Sequence, residues 1–444
     1  MSLAVKLKQL ALVLGDIAVL YASLAATLFL RYNGFSREIL SVHLWPFTVI
    51  FAIWIVSFYI GGLYDLRGLK NDVNFAKRFV SISLINAGIA VILFYFIPAF
   101  GITPKTNLFI VVAIAGLGGY FWRTFYNTLL GAGAPNNRIL MLGYNQTVEQ
   151  LVNHISQNLQ LGYEVNFWMK EGLQDKELDH LAQIIIANKI NLIVIPAHIK
   201  KNSRAARLIY KNLVLGIEVW DLATLYENIF QKLPLAELEE VWFLENIAKS
   251  HKVYEFFKRP IEVSLAIILG VVLLPIALLI SLLIAVTSRG PIIFHQKRAG
   301  QNEKEFMIYK FRTMKVDAEK DGPQWASPDD RRTTIIGKFL RKIHLDELPQ
   351  LINIVNGDLS FVGPRPERPE FVSKLIKDVP YFELRLLVRP GITGWAQINY
   401  KYGASVEDAY EKLQYDMYYL KNRSLALDFL ILLRTIKYLF TNLK

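Results

Sequence analysis

The chain contains no cysteine. Disulfide bridges, thiolate nucleophiles and sulfur-ligated zinc are therefore excluded. Its seven histidines show no His-x-x-x-His or comparable ligand spacing, so a structural metal is not expected either. Charge is sparse: 20% of the 444 residues are charged against 53% hydrophobic, a balance that leans toward a membrane protein. Acidic residues are the scarcer sign, 38 against 50 basic, for a formal charge of +12. Such an excess suits either nucleic acid or an anionic membrane surface together with phosphate-bearing substrates. The length admits two or three domains.

Long apolar runs, by contrast, are plentiful. Four open the chain, about 10–30, 43–64, 79–100 and 108–130, each with about the 20 residues needed to cross the hydrocarbon core. The first follows Lys6 and Lys8 but is too long for a signal-peptide core and lacks a small-residue cleavage site, so it reads as an uncleaved helix. Lys6, Lys8, Arg67, Lys70, Lys77 and Arg78 outweigh Arg31, Arg37 and Lys105 on the other side. That bias puts both ends of a four-helix transmembrane bundle in the cytoplasm. Trp45, Tyr64 and Trp122 suit the membrane interface, and Arg123 reads as a snorkelling side chain rather than part of an ion path.

After Gly131-Ala132-Gly133-Ala134-Pro135 the composition turns soluble. Strand-like runs at 138–142, 163–168, 191–196 and 216–220 alternate with helical patterns such as 147–158, which predicts a small parallel α/β sheet. The glycine fingerprint of a dinucleotide site is missing. Only Gly143 follows the first strand, while Gly131 and Gly133 precede it as linker. The expectation is a degenerate Rossmann-like α/β domain with a structural or regulatory role. A membrane-bound sugar-nucleotide dehydratase would share this plan, and Tyr254 and Lys258 have its Tyr-x-x-x-Lys spacing. No second glycine-rich strand–helix unit precedes them, so the match reads as chance.

The longest apolar run, 261–287, is interrupted by Gly270 and Pro275. Lys258 and Arg259 precede it and Arg289, Lys297 and Arg298 follow, so both ends look cytoplasmic. A helix that enters the bilayer, breaks near Pro275 and leaves by the same leaflet fits both facts. The alternative, a straight crossing, would export everything after it.

Beyond Arg289, runs 291–296 and 305–311 read as a short β-hairpin around Ala299-Gly300-Gln301-Asn302, ending in Lys310-Phe311-Arg312-Thr313-Met314. Then comes Leu345-Asp346-Glu347-Leu348-Pro349-Gln350, preceded by Arg341 and Lys342. Adjacent carboxylates cannot both be buried and ionised without a cation nearby. The plain reading is a helix start, where acidic residues and proline are favoured. Gly363-Pro364-Arg365-Pro366 and Arg389-Pro390-Gly391 lock arginines into rigid loops, which suits bidentate recognition of phosphate. Nucleic acid is the rival partner, but the aromatic residues here lie in apolar helical stretches rather than on a basic sheet face. Tyr415-Asp416-Met417-Tyr418-Tyr419 follows. The stretch 424–444, apolar with interspersed basic residues, suits either the membrane interface or an ordinary core.

Taken in order, Gly-Pro-Ile-Ile-Phe-His-Gln, Lys-Phe-Arg-Thr-Met, Leu-Asp-Glu-Leu-Pro-Gln, Val-Gly-Pro-Arg-Pro, Arg-Pro-Gly-Ile-Thr-Gly-Trp-Ala-Gln and Tyr-Asp-Met-Tyr-Tyr make the stretch from Phe257 to about Tyr438 resemble one family. These are the bacterial polyprenyl-phosphate sugar-1-phosphate transferases, the monotopic phosphoglycosyl transferases. The preceding spans and α/β domain match its large branch. Leu274 stands before Pro275 where the family usually has serine.

The resemblance implies a transferase moving a sugar 1-phosphate from a UDP-hexose, such as glucose or galactose, to undecaprenyl phosphate. UMP is released, and the reaction initiates exopolysaccharide, capsule or O-antigen synthesis. By that likeness Asp346 is the nucleophile, and Asp346 and Glu347 hold Mg²⁺ with substrate oxygens. Lys310, Arg312, Arg341, Arg365 and Arg389 bind substrate phosphate; Pro366 and Asp416 support them; Pro275 breaks the re-entrant helix. The expected domains are a four-span region at 1–134, the α/β domain at 135–235, a linker at 236–256, and a mainly α catalytic domain at 257–444 with its re-entrant helix at about 258–288. The likeness also implies a homodimer in the bacterial inner membrane, with its active site at the cytoplasmic face, contacting membrane lipid and no nucleic acid. The rival to both enzyme readings is a non-catalytic scaffold for polysaccharide assembly.

Overall fold

The computed structural model describes residues 3–34, 36–64, 71–97, 100, 105–132, 137–170, 180–200, 203–247, 251–315, 318, 332–400, 403 and 405–441. The chain divides into two compact units, Met1–Ile229 and Phe230–Lys444. Arg67, Lys70, Gly133, Ala134, Pro135 and Lys444 lie outside the described residues.

The first unit opens with α1 (Leu3–Tyr32), α2 (Arg37–Ile60), α3 (Val73–Phe96) and α4 (Lys105–Ala132). All four are long and apolar enough to cross a bilayer, as their sequence predicts. All four start earlier than hydropathy suggests, and polar residues cap two of them. Ser36 accepts a hydrogen bond from the Glu38 amide, and Asp72 accepts one from Phe75. Leu24, Phe47, Phe51, Trp54, Phe94 and Val111 build the core between the helices.

Arg123 corrects the sequence reading. It does not snorkel. Its side chain is fully buried and ion-paired with Asp16 of α1, donates to the Leu63 carbonyl at 2.7 Å, and faces the rings of Phe58 and Tyr64. Tyr64, expected at the interface, is buried in the same group. The physical reason is Asp16: a counter-charge inside the bundle makes burial of the guanidinium tolerable, whereas a lone cation must reach water.

The unit continues with β1 (Asn137–Leu142), α5 (Gln146–Gln157), β2 (Tyr163–Met169), α6 (Leu181–Ala187), β3 (Leu192–Ile195), α7 (Ser203–Asn212) and β4 (Glu218–Asp221). The strands form one parallel sheet in the order β2-β1-β3-β4. The central strands read as unbroken apolar runs, Leu140-Met141-Leu142 and Leu192–Ile195, because both faces of such a sheet are covered. Gly143 ends β1 with φ +75°, and a Cβ there would strike Ile199. It is a turn residue by necessity.

Part of the stretch expected as a linker packs onto the second unit. In α8 (Glu240–Asn246), the Phe243 ring lies 4.4 Å from that of Tyr381. Next come α9 (Lys252–Val272) and α10 (Leu274–Thr287), bent by 60° at the single residue between them. Pro275 occupies the first turn of α10, where its missing N–H leaves no bond unmade. Ile267, Ile268, Val271, Leu278, Leu279 and Leu282 are each more than half exposed along this bent pair.

After the pair come an antiparallel hairpin of β5 (Ile293–Ala299) and β6 (Glu305–Phe311), then α11 (Ile335–Lys342), α12 (Gln350–Asn356), β7 (Ser360–Val362) and α13 (Pro369–Asp378). Parallel to β7 runs β8 (Gly391–Thr393), followed by α14 (Trp395–Asn399), α15 (Val406–Asn422) and α16 (Leu425–Thr441). The last helix packs one face on the core and leaves part of the other open. Ile431 is fully buried and Thr435 bonds Thr393, while Phe429 is 62% exposed.

Candidate active site

The adjacent carboxylates occupy a turn between helices. After α11 the chain passes through His344, whose φ of +56° lies in the left-handed region, into a 3-10 turn, Leu345–Glu347, and then into α12. A non-glycine residue held there is strained, a feature that clusters at functional sites. The pair thus precedes the helix start that the sequence suggests, in a short turn entered through the left-handed His344.

Glu347 is held from both sides. Its Oε1 accepts from Lys310 Nζ at 2.8 Å and from Arg365 at 2.9 Å. Burial alone would raise its pKa, but those ion pairs outweigh it and hold the carboxyl well below the usual range. Asp346 is 7% exposed, and its carboxylate makes no hydrogen bond among the described residues. Burial, then the neighbouring Glu347, raise its pKa; Lys310, Arg341 and His344 oppose the shift. Arg341 also donates to Thr313 at 2.9 Å, which aims it across the turn.

Lys310 arrives from β6, and the register of β6 against α12 is locked by Asn353. That fully buried side chain accepts from the Tyr309 amide at 3.1 Å and donates to the Met307 carbonyl at 2.7 Å. Sequence reasoning missed it. The available signal was a lone amide in the apolar run after the acidic pair.

Arg365 stands on a loop whose carbonyls are almost all engaged. Val362 O accepts from Lys258 and Tyr419, Pro364 O from the Gly391 amide, Arg365 O from Arg385, Pro366 O from Arg298, and Glu367 O from the Ala299 amide. Gly363 packs against the backbone of Arg389–Gly391 so closely that a Cβ would not fit. Pro366 and Asp416 belong to this support. Asp416 is buried 3.0 Å from Arg385.

Two further expected phosphate ligands have partners other than the acidic pair. Arg312 donates to both the carbonyl and the hydroxyl of Ser288, closing the end of α10. Arg389 lies 3.7 Å from Glu255 of α9, beside Arg423, which reaches the same carboxylate. Sequence alone offered no way to separate these from Lys310, Arg341 and Arg365. Tyr254 and Lys258 do meet, at 2.8 Å, but Lys258 also lies 3.0 Å from Asp428 and bonds Val362 O, so the pair holds α9 against β7 and α16.

No group of three or more His, Asp or Glu side chains suited to a metal occurs among the described residues. Asp346 and Glu347, the latter with one oxygen taken by two cations, are too few donors for a closed cage. They fit a magnesium ion that keeps mostly water and substrate oxygens.

A profile of the family described as bacterial sugar transferase matches residues 253–442. An Aeromonas hydrophila UDP-N-acetylgalactosamine-undecaprenyl-phosphate N-acetylgalactosaminephosphotransferase is 42% identical over 189 residues, 43% of this chain and 45% of its own length. The match therefore spans less than half of that relative. A Caulobacter vibrioides UDP-glucose:undecaprenyl-phosphate glucose-1-phosphate transferase is 38% identical over 188 residues, covering 41% of this chain and 70% of the relative. A Xanthomonas campestris protein of the same name is 28% identical over 336 residues, 70% of this chain and 68% of its own.

Proposed function

The chain belongs to the bacterial sugar transferase family, and from that premise we propose that it transfers a sugar 1-phosphate from a UDP-sugar to undecaprenyl phosphate. The observation that carries this reading is Asp346, a buried carboxylate free of hydrogen bonds among the described residues, set among Lys310, Arg341 and the pinned Glu347–Arg365 pair. A carboxylate held this way has no competing hydrogen bond among the described residues and faces cations suited to phosphate, which fits a nucleophile.

In the first step an Asp346 oxygen attacks the phosphorus bonded to the sugar. The bond from that phosphorus to the bridging oxygen breaks, UMP leaves with the electron pair, and a sugar-phosphoryl aspartate remains. In the second, a phosphate oxygen of the lipid acceptor attacks the same phosphorus. The Asp346 carboxylate is restored and undecaprenyl diphosphate-sugar departs. Lys310, Arg341 and Arg365 stabilise charge on the transferring group. Glu347 keeps Lys310 and Arg365 in place between turnovers. Asp346 and Glu347 would hold magnesium with substrate oxygens, and the ion would neutralise diphosphate charge when bound.

The acceptor explains the bent helix pair. A lipid phosphate keeps its chain in the bilayer and its head at the surface, so α9 and α10 are read as a re-entrant hairpin that sets the site at headgroup depth on the cytoplasmic face of the inner membrane. The product would open the assembly of a surface polysaccharide.

The test is UMP release from a panel of UDP-hexoses and UDP-N-acetylhexosamines with undecaprenyl phosphate and Mg²⁺. One donor should turn over, and Asp346→Asn should reduce that rate to background. Without acceptor, intact-mass analysis should find a sugar-phosphate adduct on the wild type alone. Wild-type rates from the variant would end the nucleophile assignment.

A further inference from the structure

Arg385 lies in none of the motifs that mark this chain, yet it is only 8% exposed. It sits in a 3-10 turn, Phe382–Leu387, with its guanidinium over the Phe382 ring at 4.9 Å. One of its terminal nitrogens donates to the Arg365 carbonyl at 3.0 Å and lies 3.0 Å from Asp416 Oδ2. Asp416, on α15, is 2% exposed, with Glu367 and Lys412 the other charged groups near enough to influence it.

Burying a guanidinium to serve a backbone carbonyl costs desolvation that a neutral donor would avoid, and the Asp416 carboxylate offsets it. What the arrangement secures is the residue bonded. The Arg365 backbone is held by Arg385, while its own guanidinium, at the other end of the residue, reaches Glu347 at 2.9 Å. Arg298, Ala299 and Gly391 fix the neighbouring carbonyls, but Arg385 is the side chain that grips Arg365 itself.

We propose that Arg385, anchored by Asp416, is a positioning residue for the transfer reaction: it fixes the Arg365 backbone so that one guanidinium geometry serves both Glu347 and the transferring phosphate. This rests on the sugar 1-phosphate transfer reading. Arg385 touches no substrate in it and acts through Arg365. Displacing a charged group by an ångström at such a site costs turnover far more than binding.

The experiment uses the full chain in lipid nanodiscs, with Arg385→Lys, Arg365→Lys, the double variant and Asp416→Asn. Arg385→Lys should lower kcat for UMP release by about tenfold or more, with KM for the UDP-sugar changed by less than about twofold. In the Arg365→Lys background the same change should cost less than about twofold, because the group it positions is already altered. Asp416→Asn should lose kcat in the same direction. Hydrogen exchange at the Gly391 and Ala299 amides, which donate to the loop carbonyls on either side of Arg365, should rise in Arg385→Lys while that of α12 stays unchanged. Equal fold losses in both backgrounds, or loop exchange that matches wild type, would overturn the proposal. A wild type that releases no UMP would sink the transferase reading, and the exchange data would still decide whether Arg385 holds the loop.

Discussion

At the scale of the residue, Asp346 and Glu347 are neighbours in the chain but electrostatic opposites. Glu347 is a buried anion whose charge is matched twice; Asp346 is a buried carboxyl, its pKa raised first by burial, with no hydrogen bond among the described residues. Glu347→Gln should therefore strand Lys310, whose side chain is 18% exposed, while the 45%-exposed Arg365 finds water. Discounting the exposed half, the expected loss is about 1–3 kcal/mol in a thermal or denaturant titration, with turnover lowered as well. Unchanged stability would mean that the ion pairs do not hold this turn. Asp416 gives a pH test. Burial, countered by Arg385, pushes its carboxyl up to about 6 from an ordinary 3.8. The folded state thus holds that proton more tightly than the unfolded chain does. Its stabilising contribution is complete below pH 3.8 and fades as pH climbs through about 6. Measured against Asp416→Asn, wild type should lose thermal stability between about pH 4 and about pH 6. A difference that stays flat or rises over that window would contradict the assignment.

At the scale of the element, position within a helix counts for less than what the next helix offers. Arg123 lies near a helix end where snorkelling is the default, and Asp16 on α1 draws it inward. Asp16→Leu should cost about 3–5 kcal/mol by leaving the guanidinium buried and unpaired, and adding Arg123→Leu should recover most of that. Unfolding in a mild-detergent titration would measure both; a double variant as weak as the single one would refute the pairing argument. Elsewhere the same logic separates arginines that look alike in sequence. Arg365 rides on a loop fastened at nearly every carbonyl, whereas Arg312 leaves its strand to close α10 and Arg389 pairs with α9. The bend between α9 and α10 needs no such partner, since a proline in a first turn ends one helix and starts the next.

At the scale of the whole molecule, the family match falls within the second unit, while the first supplies apolar helices and a parallel sheet without a full phosphate-binding glycine pattern. The re-entrant reading makes one topological demand. A reporter fused after Lys444 should read as cytoplasmic, since both arms of the bent pair then return to the leaflet they entered. A periplasmic signal would make α9 and α10 a single broken crossing and place Asp346 out of reach of cytosolic UDP-sugars.

Four long apolar helices, an alternating α/β stretch, a hairpin ending at Phe311 and a helix broken near Pro275 were all legible in the chain, because hydropathy and turn chemistry are local properties. So was the adjacency of Asp346 and Glu347, a matter of covalent order. The chain could not say which cations serve them. That depends on side chains 18 to 37 positions away meeting across β6, α12 and the Arg365 loop, and on Asn353 fixing the register between them. Asp16 drawing Arg123 into the bundle, and Arg385 gripping Arg365, were likewise decided only in three dimensions. A charge is placed by whatever packs beside it, and that partner is set by the fold.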